Sequence, residues 1–406
     1  MNEDILKEIE FSELGTIITG KTPKTKIDEY WNGIIPFITP KDIQVNKYIN
    51  FTERYISDAG LHTVSGQYLP KKSISVSCIG NIGYVGLTTK ESISNQQINT
   101  IIPNNNFDNH YVFYLMRNYW PIFKSLENQS TTVSILNKSH FSSLKVKVIN
   151  DKIKQIAIAN ILSSLDDKIE LNNKINQNLE MLAQTLYKHW FVDFEFPNEN
   201  GEPYKSSGGE LIESELGLIP MDWSEKKLGD FVIKQKIKTL PDQKYKLIDM
   251  ANMPSYSISL SQYESGDKLK TNTFLMKKYS FLYGSIRPYL GKYGIAPFDG
   301  ITTGTIHNFV SKYVNNYSFI ASTVFSNKFN DYCIQLSHGT KMPIVKWNDF
   351  IDYKLAYNER VSSLYDSIIK SNYLKIVENV LENQKLAEIR DTLLPKLMNG
   401  EIEVPV

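Results

Sequence analysis

The sequence predicts an α+β fold: two α/β domains separated by a pair of long antiparallel helices, arranged as a pseudo-twofold internal duplication. Three observations predict it. The stretch 151–190 has neither Pro nor Gly and carries apolar or Asn residues at alternating spacings of three and four. A second stretch of the same kind closes the chain, from about Val361 to Asn399. Landmarks in the block before the first helix recur, in order, before the second.

In chain order, residues 1–150 read as a first α/β domain. Short alternating runs such as SISVSCIGNIGYVGLTT, ending at Thr89, and LKVKVI, from Leu144 to Ile149, are cut by Gly, Pro and Asn and read as strands. HYVFYLMRNYWPIF, from His110, has helical spacing and is expected to stop at Pro121. Residues 151–196 form the central helical region. Leu162, Leu165, Ile169, Asn172, Asn176, Leu179, Ala183, Leu186 and Trp190 fall on one stripe, the heptad pattern of a helix whose seam faces another helix. At 1.5 Å per residue the rod would be roughly 55 Å long, more than a globular helix needs.

Residues 197–216 are polar and rich in Gly, Pro and Ser, and read as a linker. A second domain, 217–357, repeats the character of the first, with NYSFIASTVF as a helix candidate. Residues 358–406 form the C-terminal helical region, with Ile369, Ile376 and Val380 on its seam.

The repeat shows in paired landmarks. Glu13-Leu14-Gly15 answers Lys227-Leu228-Gly229, and Ser75 to Gly80 answers Leu282 to Arg287. Gln129 to Thr132 answers Ser337 to Thr340, and Gln184 to Tyr187 answers Asp391 to Leu394. Two seamed helices bury their seams most simply against each other, antiparallel, with the domains at opposite ends. Asn172, Asn176 and Asn383 either fix the register of such a pair or are surface residues on an imperfect stripe.

Composition narrows the function classes. The chain has 406 residues, enough for two cores, and 45 Lys+Arg against 44 Asp+Glu, so a basic surface has to be local. Its 24 Tyr and 19 Phe argue for packed domains. Cys78 and Cys333 have no metal or disulfide spacing and read as reduced core thiols. The acidic N-terminus, MNEDILKEIEF, lacks the features of a secretory signal, and no apolar run is long enough to span a bilayer, so a cytoplasmic location is expected.

Gly15-Thr-Ile-Ile-Thr-Gly-Lys-Thr22 fits the phosphate-loop pattern GxxxxGK[ST]. That chemistry needs a buried strand before the loop and a helix starting at the Lys, whose amides bind phosphate. KEIEFSE before it and Pro23 after it are poorly suited to either. A phosphate-loop NTPase is thus one alternative, and a two-ended protein scaffold without DNA binding is another. Catalytic signatures (GxSxG, HExxH, zinc spacings, or the tetrapeptide with which adenine methyltransferases hold a flipped base) do not occur. His189 reads as structural.

Candidates for nucleic-acid contact are loop residues. Lys21, Thr22 and Lys24 sit in a basic, hydroxyl-rich turn suited to phosphate, and Lys41 in a second turn. Asn95, Gln96 and Gln97 offer amides that pair bidentately with adenine, and Arg287 a guanidinium that does so with guanine. Lys236, Lys292 and Lys341 add cations in the second half. Each is also compatible with an ordinary solvated loop residue. No metal site is expected.

Several segments resemble the specificity subunit of type I DNA restriction-modification enzymes. They are Leu216-Gly-Leu-Ile-Pro-Met-Asp-Trp223, Leu186-Tyr-Lys-His-Trp-Phe-Val-Asp-Phe194 and Asp391-Thr-Leu-Leu-Pro-Lys-Leu-Met-Asn-Gly-Glu-Ile402. Gly20-Lys-Thr-Pro23, Tyr30-Trp31 and Ile35-Pro-Phe-Ile-Thr-Pro-Lys-Asp42 are similar to the opening of a target recognition domain. The resemblance implies that each α/β domain is a target recognition domain reading one half of a split, asymmetric DNA site. It implies that the helical regions dock two methyltransferase subunits and that restriction and motor subunits join them. S-adenosylmethionine, ATP and Mg would be used by those partners, with none bound by this chain. The outer faces of the first helix, including Lys188 and the aromatic end at Trp190 and Phe191, are the expected docking surface. The first domain lacks the Ile-Pro-x-x-Trp opening of the second, and the second has Gln235-Lys-Ile-Lys-Thr-Leu-Pro241 in place of Gly-Lys-Thr-Pro. Contact residues are therefore not transferred between the halves.

Overall fold

The computed structural model describes residues 6–43, 47–128, 134–269 and 272–405. The chain forms two compact units, 1–170 with 386–406, and 171–385. Both long helices are shared between the units, so each unit holds its own stretch of paired helix.

The first unit runs β1 (Leu6–Glu10), α1 (Phe11–Leu14), β2 (Gly15–Thr19), β3 (Trp31–Ile38), β4 (Tyr48–Ile49), β5 (Arg54–Ile56), α2 (Asp58–Thr63), β6 (Ile74–Ser77), β7 (Val85–Thr88), β8 (Ile93–Ser94) and β9 (Ile98–Pro103). Then come α3 (Asn109–Asn118), α4 (Trp120–Asn128), α5 (Lys138–Ser143), β10 (Lys145–Ile149) and the start of α6 (Lys152–Tyr187). The main sheet has the order β2-β9-β6-β7-β4, β5-β3-β8 form a second sheet, and β1 pairs with β10. Helix α3 is buried along most of its length, from Tyr111 to Met116. Its core is completed by Ile158, Ala159 and Leu162 of α6 and by Leu394, Leu397, Met398 and Val404 near the C-terminus.

The second unit continues through the hairpin of β11 (Leu211–Ser214) and β12 (Gly217–Pro220), then β13 (Ser224–Lys227), β14 (Val232–Lys234), β15 (Lys238–Thr239), β16 (Lys246–Ile248), β17 (Glu264–Ser265), β18 (Thr273–Met276), β19 (Phe281–Gly284), β20 (Tyr293–Ile295), β21 (Gly300–Thr303) and β22 (Ile306–Ser311). It closes with α7 (Tyr317–Val324), α8 (Asn327–Gln335), α9 (Trp347–Ile351), β23 (Lys354–Tyr357) and most of α10 (Glu359–Met398). Its main sheet has the order β14-β22-β19-β20, and its second sheet β15-β18-β21-β16-β17.

The duplication is visible bond by bond. Ile74 faces Ile101 and Leu87 in the first unit as Phe281 faces Phe309 and Ile295 in the second. Gly80 N donates to Ser134 O, and Arg287 N to Pro343 O. Both residues have left-handed backbones, φ 76° and 50°. One expected pairing shifts. Phe11 N donates to Leu144 O as Leu228 N donates to Tyr353 O, so Leu228 answers Phe11, and Leu14 answers Phe231. A Leu-Gly step in both halves had aligned the wrong residues. The Gln129–Thr132 landmark lies outside the described residues.

Within the second unit α6 and α10 pair antiparallel. Asn172 Nδ2 donates to Asn383 Oδ1 (2.9 Å) and Asn379 Nδ2 to Asn176 Oδ1 (2.8 Å), while Tyr365 Oη donates to Ala183 O (2.7 Å). The three Asn of the predicted stripe are buried and bonded, so they are seam and not surface residues. Ile369, Ile376 and Val380 are buried in the same seam, with Leu179 and Leu186 half-buried against it. In the first unit Leu162 is fully buried and Leu165 and Ile169 are half-buried.

The helix from His110 ends at Asn118, shortly before Pro121, which is the second residue of the next helix, α4, where the first turn needs no N–H from it. Two local expectations are corrected. Trp190 and Phe191 do not face outward. They sit in a wider π turn, Lys188–Val192, and pack on Tyr365, Phe319 and Trp223 in the core. The segment 197–209 folds back on the second unit: Phe196 is buried and stacked on Tyr204, whose N donates to Phe196 O. KEIE, expected to make a poor core strand, forms the half-exposed β1 in a two-stranded pair with β10.

Candidate nucleic-acid interface

In the first unit three loops converge. Gly20 N donates to Ile98 O and Lys21 N to Ser94 O, so the basic turn after β2 lies along the β8–β9 connection. A Cβ on Gly20 would come within 2.2 Å of Asn95 O, so only Gly permits this approach. Thr22 Oγ1 donates to Gln96 Oε1 (2.6 Å), and Asn95 N donates to Ile38 O at the foot of the 39–42 turn. The sequence-predicted Lys21, Thr22, Lys24, Lys41, Asn95, Gln96 and Gln97 therefore belong to one surface. Lys21, Lys24, Lys41 and Gln96 are exposed.

Not all of these groups are equally available. Asn95 Nδ2 donates to Gln97 Oε1 (2.9 Å) and Gln97 N to Asn95 Oδ1, so both side-chain oxygens are engaged within their own turn. Gln96 keeps its NH2 for a partner. Lys41 lies 3.7 Å from Glu53, with both groups exposed, an interaction of little strength. Thr39 and Asp42 cap the turn that carries Lys41.

In the second unit Arg287 and Lys341 come together. Arg287 N donates to Pro343 O (2.7 Å) and Val345 N to Ser285 O (3.0 Å), so the loop 338–344 that carries Lys341 is tied to the Arg287 turn. Arg287 is held at φ 50°, a strained conformation for a non-Gly residue, with its side chain exposed. Tyr289 and Met342 are exposed on the same two segments. Lys292 is turned inward, its Nζ donating to Met250 O (2.6 Å). Lys236 is exposed between β14 and β15, beside Lys234, which lies 4.6 Å above the Trp347 ring. Burial, and then the charge of Lys236, lower the pKa of Lys234.

The phosphate-loop match is a strand and a turn. Residues 15–19 pair with β9, and the first helical residues after Lys21 are the single turn Asp28–Tyr30, so no helix N-terminus faces the loop. Among the described residues no His, Cys, Asp and Glu cluster has a metal-binding arrangement, and no helix is long and apolar enough to cross a membrane. Cys78 and Cys333 are buried, and burial pushes both thiols up to about 12. His307 is buried against Trp347 and Phe350 and held down at about 4 by burial, which leaves it neutral and structural.

Sequence reasoning missed a β-bulge at Asn32–Ile34 and the stacking of Arg54 on Trp31, with the guanidinium 3.5 Å from the ring centroid. The Asn32-Gly33 dipeptide was the signal for the first.

Residues 4–181 match the family model described as the type I restriction modification DNA specificity domain. Over 417 residues the chain is 29% identical to the type I restriction enzyme MjaIX specificity subunit of Methanocaldococcus jannaschii, covering 97% of this chain and 92% of that one. It is 32% identical to the HindI specificity subunit of Haemophilus influenzae over 181 residues, 43% of this chain and 39% of that one. The fold matches the crystal structure of a type I restriction-modification S subunit from M. genitalium with a TM-score of 0.56 at 17% identity, covering 98% of this chain and 97% of that one. The duplicated frame, the specificity-domain match and the full-length likeness agree in making this chain similar to type I restriction-modification specificity subunits.

Proposed function

We propose that this chain is the non-catalytic, sequence-specific DNA-binding subunit of a type I restriction-modification complex. It recognises a bipartite, asymmetric site on double-stranded DNA and directs methylation and cleavage by partner subunits. One observation carries the reading: the same frame of main sheet, helices and terminal strand pair occurs twice, while the second sheets differ, three-stranded in one unit and five-stranded in the other. The exposed Lys, Arg and Gln side chains sit at different places in the two units: Lys21, Lys41 and Gln96 follow β2, β3 and β8 in the first, while Lys236, Arg287 and Lys341 lie beside β14, β19 and α9 in the second. Two copies of a frame with two different reading surfaces suit two different half-sites.

The partners are two methyltransferase subunits and restriction subunits, which supply S-adenosylmethionine, ATP and Mg chemistry. Lys21, Lys24 and Lys41 in the first unit, and Lys236 and Lys341 in the second, contact phosphate. Gln96 and Arg287 contact base edges. The first experiment is to map methylated adenines in DNA from cells carrying the complete system. A split motif with two unlike halves is expected, and a random or absent pattern would refute the reading. With the assembled complex, Lys21→Ala should weaken binding across sequences and reduce the salt slope by about 1, whereas Arg287→Ala should relax one base position.

A further inference from the structure

We propose that the bulge at Asn32–Ile34 is a wedge that the first unit presses against one base step of its half-site, with Ile34 entering the groove. This rests on the DNA-binding reading and adds to it a residue, a contact type and a consequence for specificity.

The bulge is built, not incidental. Trp31 and Ile35 both face Ile56 of β5, so the intervening residues are looped out of the ladder. Asn32 adopts φ 61°, in the left-handed region. A Cβ on Gly33 would fall 2.3 Å from Ile56 O and 2.5 Å from Ser57 Cα, so the loop is pressed on β5 and only Gly fits. Bulges of this kind re-aim a side chain. Here the side chain is Ile34, 86% exposed, although its neighbours Trp31, Phe37 and Ile56 are buried.

An exposed Ile alone means little. Its surroundings give it a role. Trp31 Nε1 donates to Lys24 O (3.3 Å), which fixes the basic turn against the base of the bulge. The Arg54 guanidinium lies over the Trp31 ring on the β5 side. Lys24, Lys26, Arg54 and the Asn32 amide are all exposed. Asp28 and Glu29 are exposed on the turn between, so the face is not uniformly basic, and phosphate contact falls to those particular cations. One projecting aliphatic side chain is too small for a protein hot spot, which needs a desolvated cluster. It matches an apolar wedge that parts a base step beside cations and an amide.

The test uses the full chain in its complex with the methyltransferase subunits, comparing wild type, Ile34→Ala and Ile34→Met. Methylated-adenine maps should show one half-site losing preference at a single step with Ile34→Ala, by roughly tenfold, with the other half-site unchanged. Ile34→Met should retain it. On a duplex of the mapped site carrying 2-aminopurine at that step, the fluorescence rise on binding should be lost with Ile34→Ala. Unchanged motif and fluorescence in Ile34→Ala, with binding intact, overturn the wedge but leave the DNA reading standing. Loss of complex assembly alone would make Ile34 a protein contact and also overturn it. No sequence-dependent methylation by the wild-type complex would bring down both. The variant's melting temperature should equal wild type, because Ile34 has little to lose in packing.

Discussion

At the scale of single residues, Glu180 has the most informative environment. Its Oε1 accepts from Ile258 N (3.2 Å), Ser259 Oγ (3.3 Å) and Ser257 Oγ (3.4 Å), so a helix carboxylate holds the 257–259 loop within the second unit. Burial pushes its pKa from 4.5 up to about 7, and the hydrogen bonds only partly oppose that. In the unfolded chain Glu180 loses its proton near 4.5, whereas the folded chain keeps it to about 7. Between those values the unfolded state binds fewer protons, so stability falls as pH rises through the window and levels off above it. The shift corresponds to about 3 kcal/mol. Denaturation from pH 4.5 to 8 should therefore show a decline in wild type that Glu180→Gln lacks, with the variant the more stable at pH 8. Parallel curves for the two proteins would contradict the assignment.

At the scale of elements, the paired helices owe their register to amides. Asn379 donates to Asn176 and Asn383 donates to Asn173 (2.9 Å), beside the buried apolar residues Ile369, Tyr373, Ile376 and Val380 of α10. A buried amide pair lowers stability relative to an apolar one but admits only one alignment. Asn379→Ala leaves the Asn176 carbonyl buried without its donor and should cost about 1–3 kcal/mol in chemical denaturation. Replacing Asn176 and Asn379 together by Leu should raise the midpoint while allowing slipped or intermolecular pairing, visible as a second species in size-exclusion chromatography. A single species with the wild-type midpoint would mean that the amides do not set the register. The helices were readable in the sequence because their period extends over dozens of residues and no breaker interrupts it. Shorter elements were less readable. Strands of two residues such as Tyr48–Ile49 and Lys238–Thr239 contain no period, and their pairing depends on distant partners. Trp190 and Phe191 were misplaced because the heptad pattern cannot show that the chain turns back at Val192 and brings Trp223 onto them.

At the scale of the whole molecule, order along the chain and membership of a core part company. The landmark pair Ser75–Gly80 and Leu282–Arg287 was legible because its residues are bonded corners of the frame, while the reading surfaces were not, because exposed loops carry no packing constraint that composition reveals. Residues 386–406 belong to the same compact unit as residues 1–170, which no composition shift at that point announces. Leu394, Leu397, Met398 and Val404 are buried there with Leu162 and α3. Arg390 Nη1 lies 2.5 Å from Asp166 Oδ1, and Asp166 also accepts from Tyr114 Oη (2.6 Å). At roughly 1.5–3 kcal/mol per buried side chain, the four apolar residues contribute on the order of 6–12 kcal/mol. That is comparable to the whole stability of an ordinary domain. Losing Arg390 would leave the buried Asp166 carboxylate with Arg117, 3.7 Å away, as a remaining cation. A chain ending at Lys385 should therefore lose the cooperative unfolding of the first unit and become open to protease within residues 1–170. Residues 171–385 keep their own seam contacts, such as Asn172–Asn383 and Asn176–Asn379, and should retain a separate calorimetric transition. Persistence of both transitions at wild-type temperatures after truncation would show that the C-terminal segment is dispensable to the first core, and the burial of these four side chains would then be energetically unimportant.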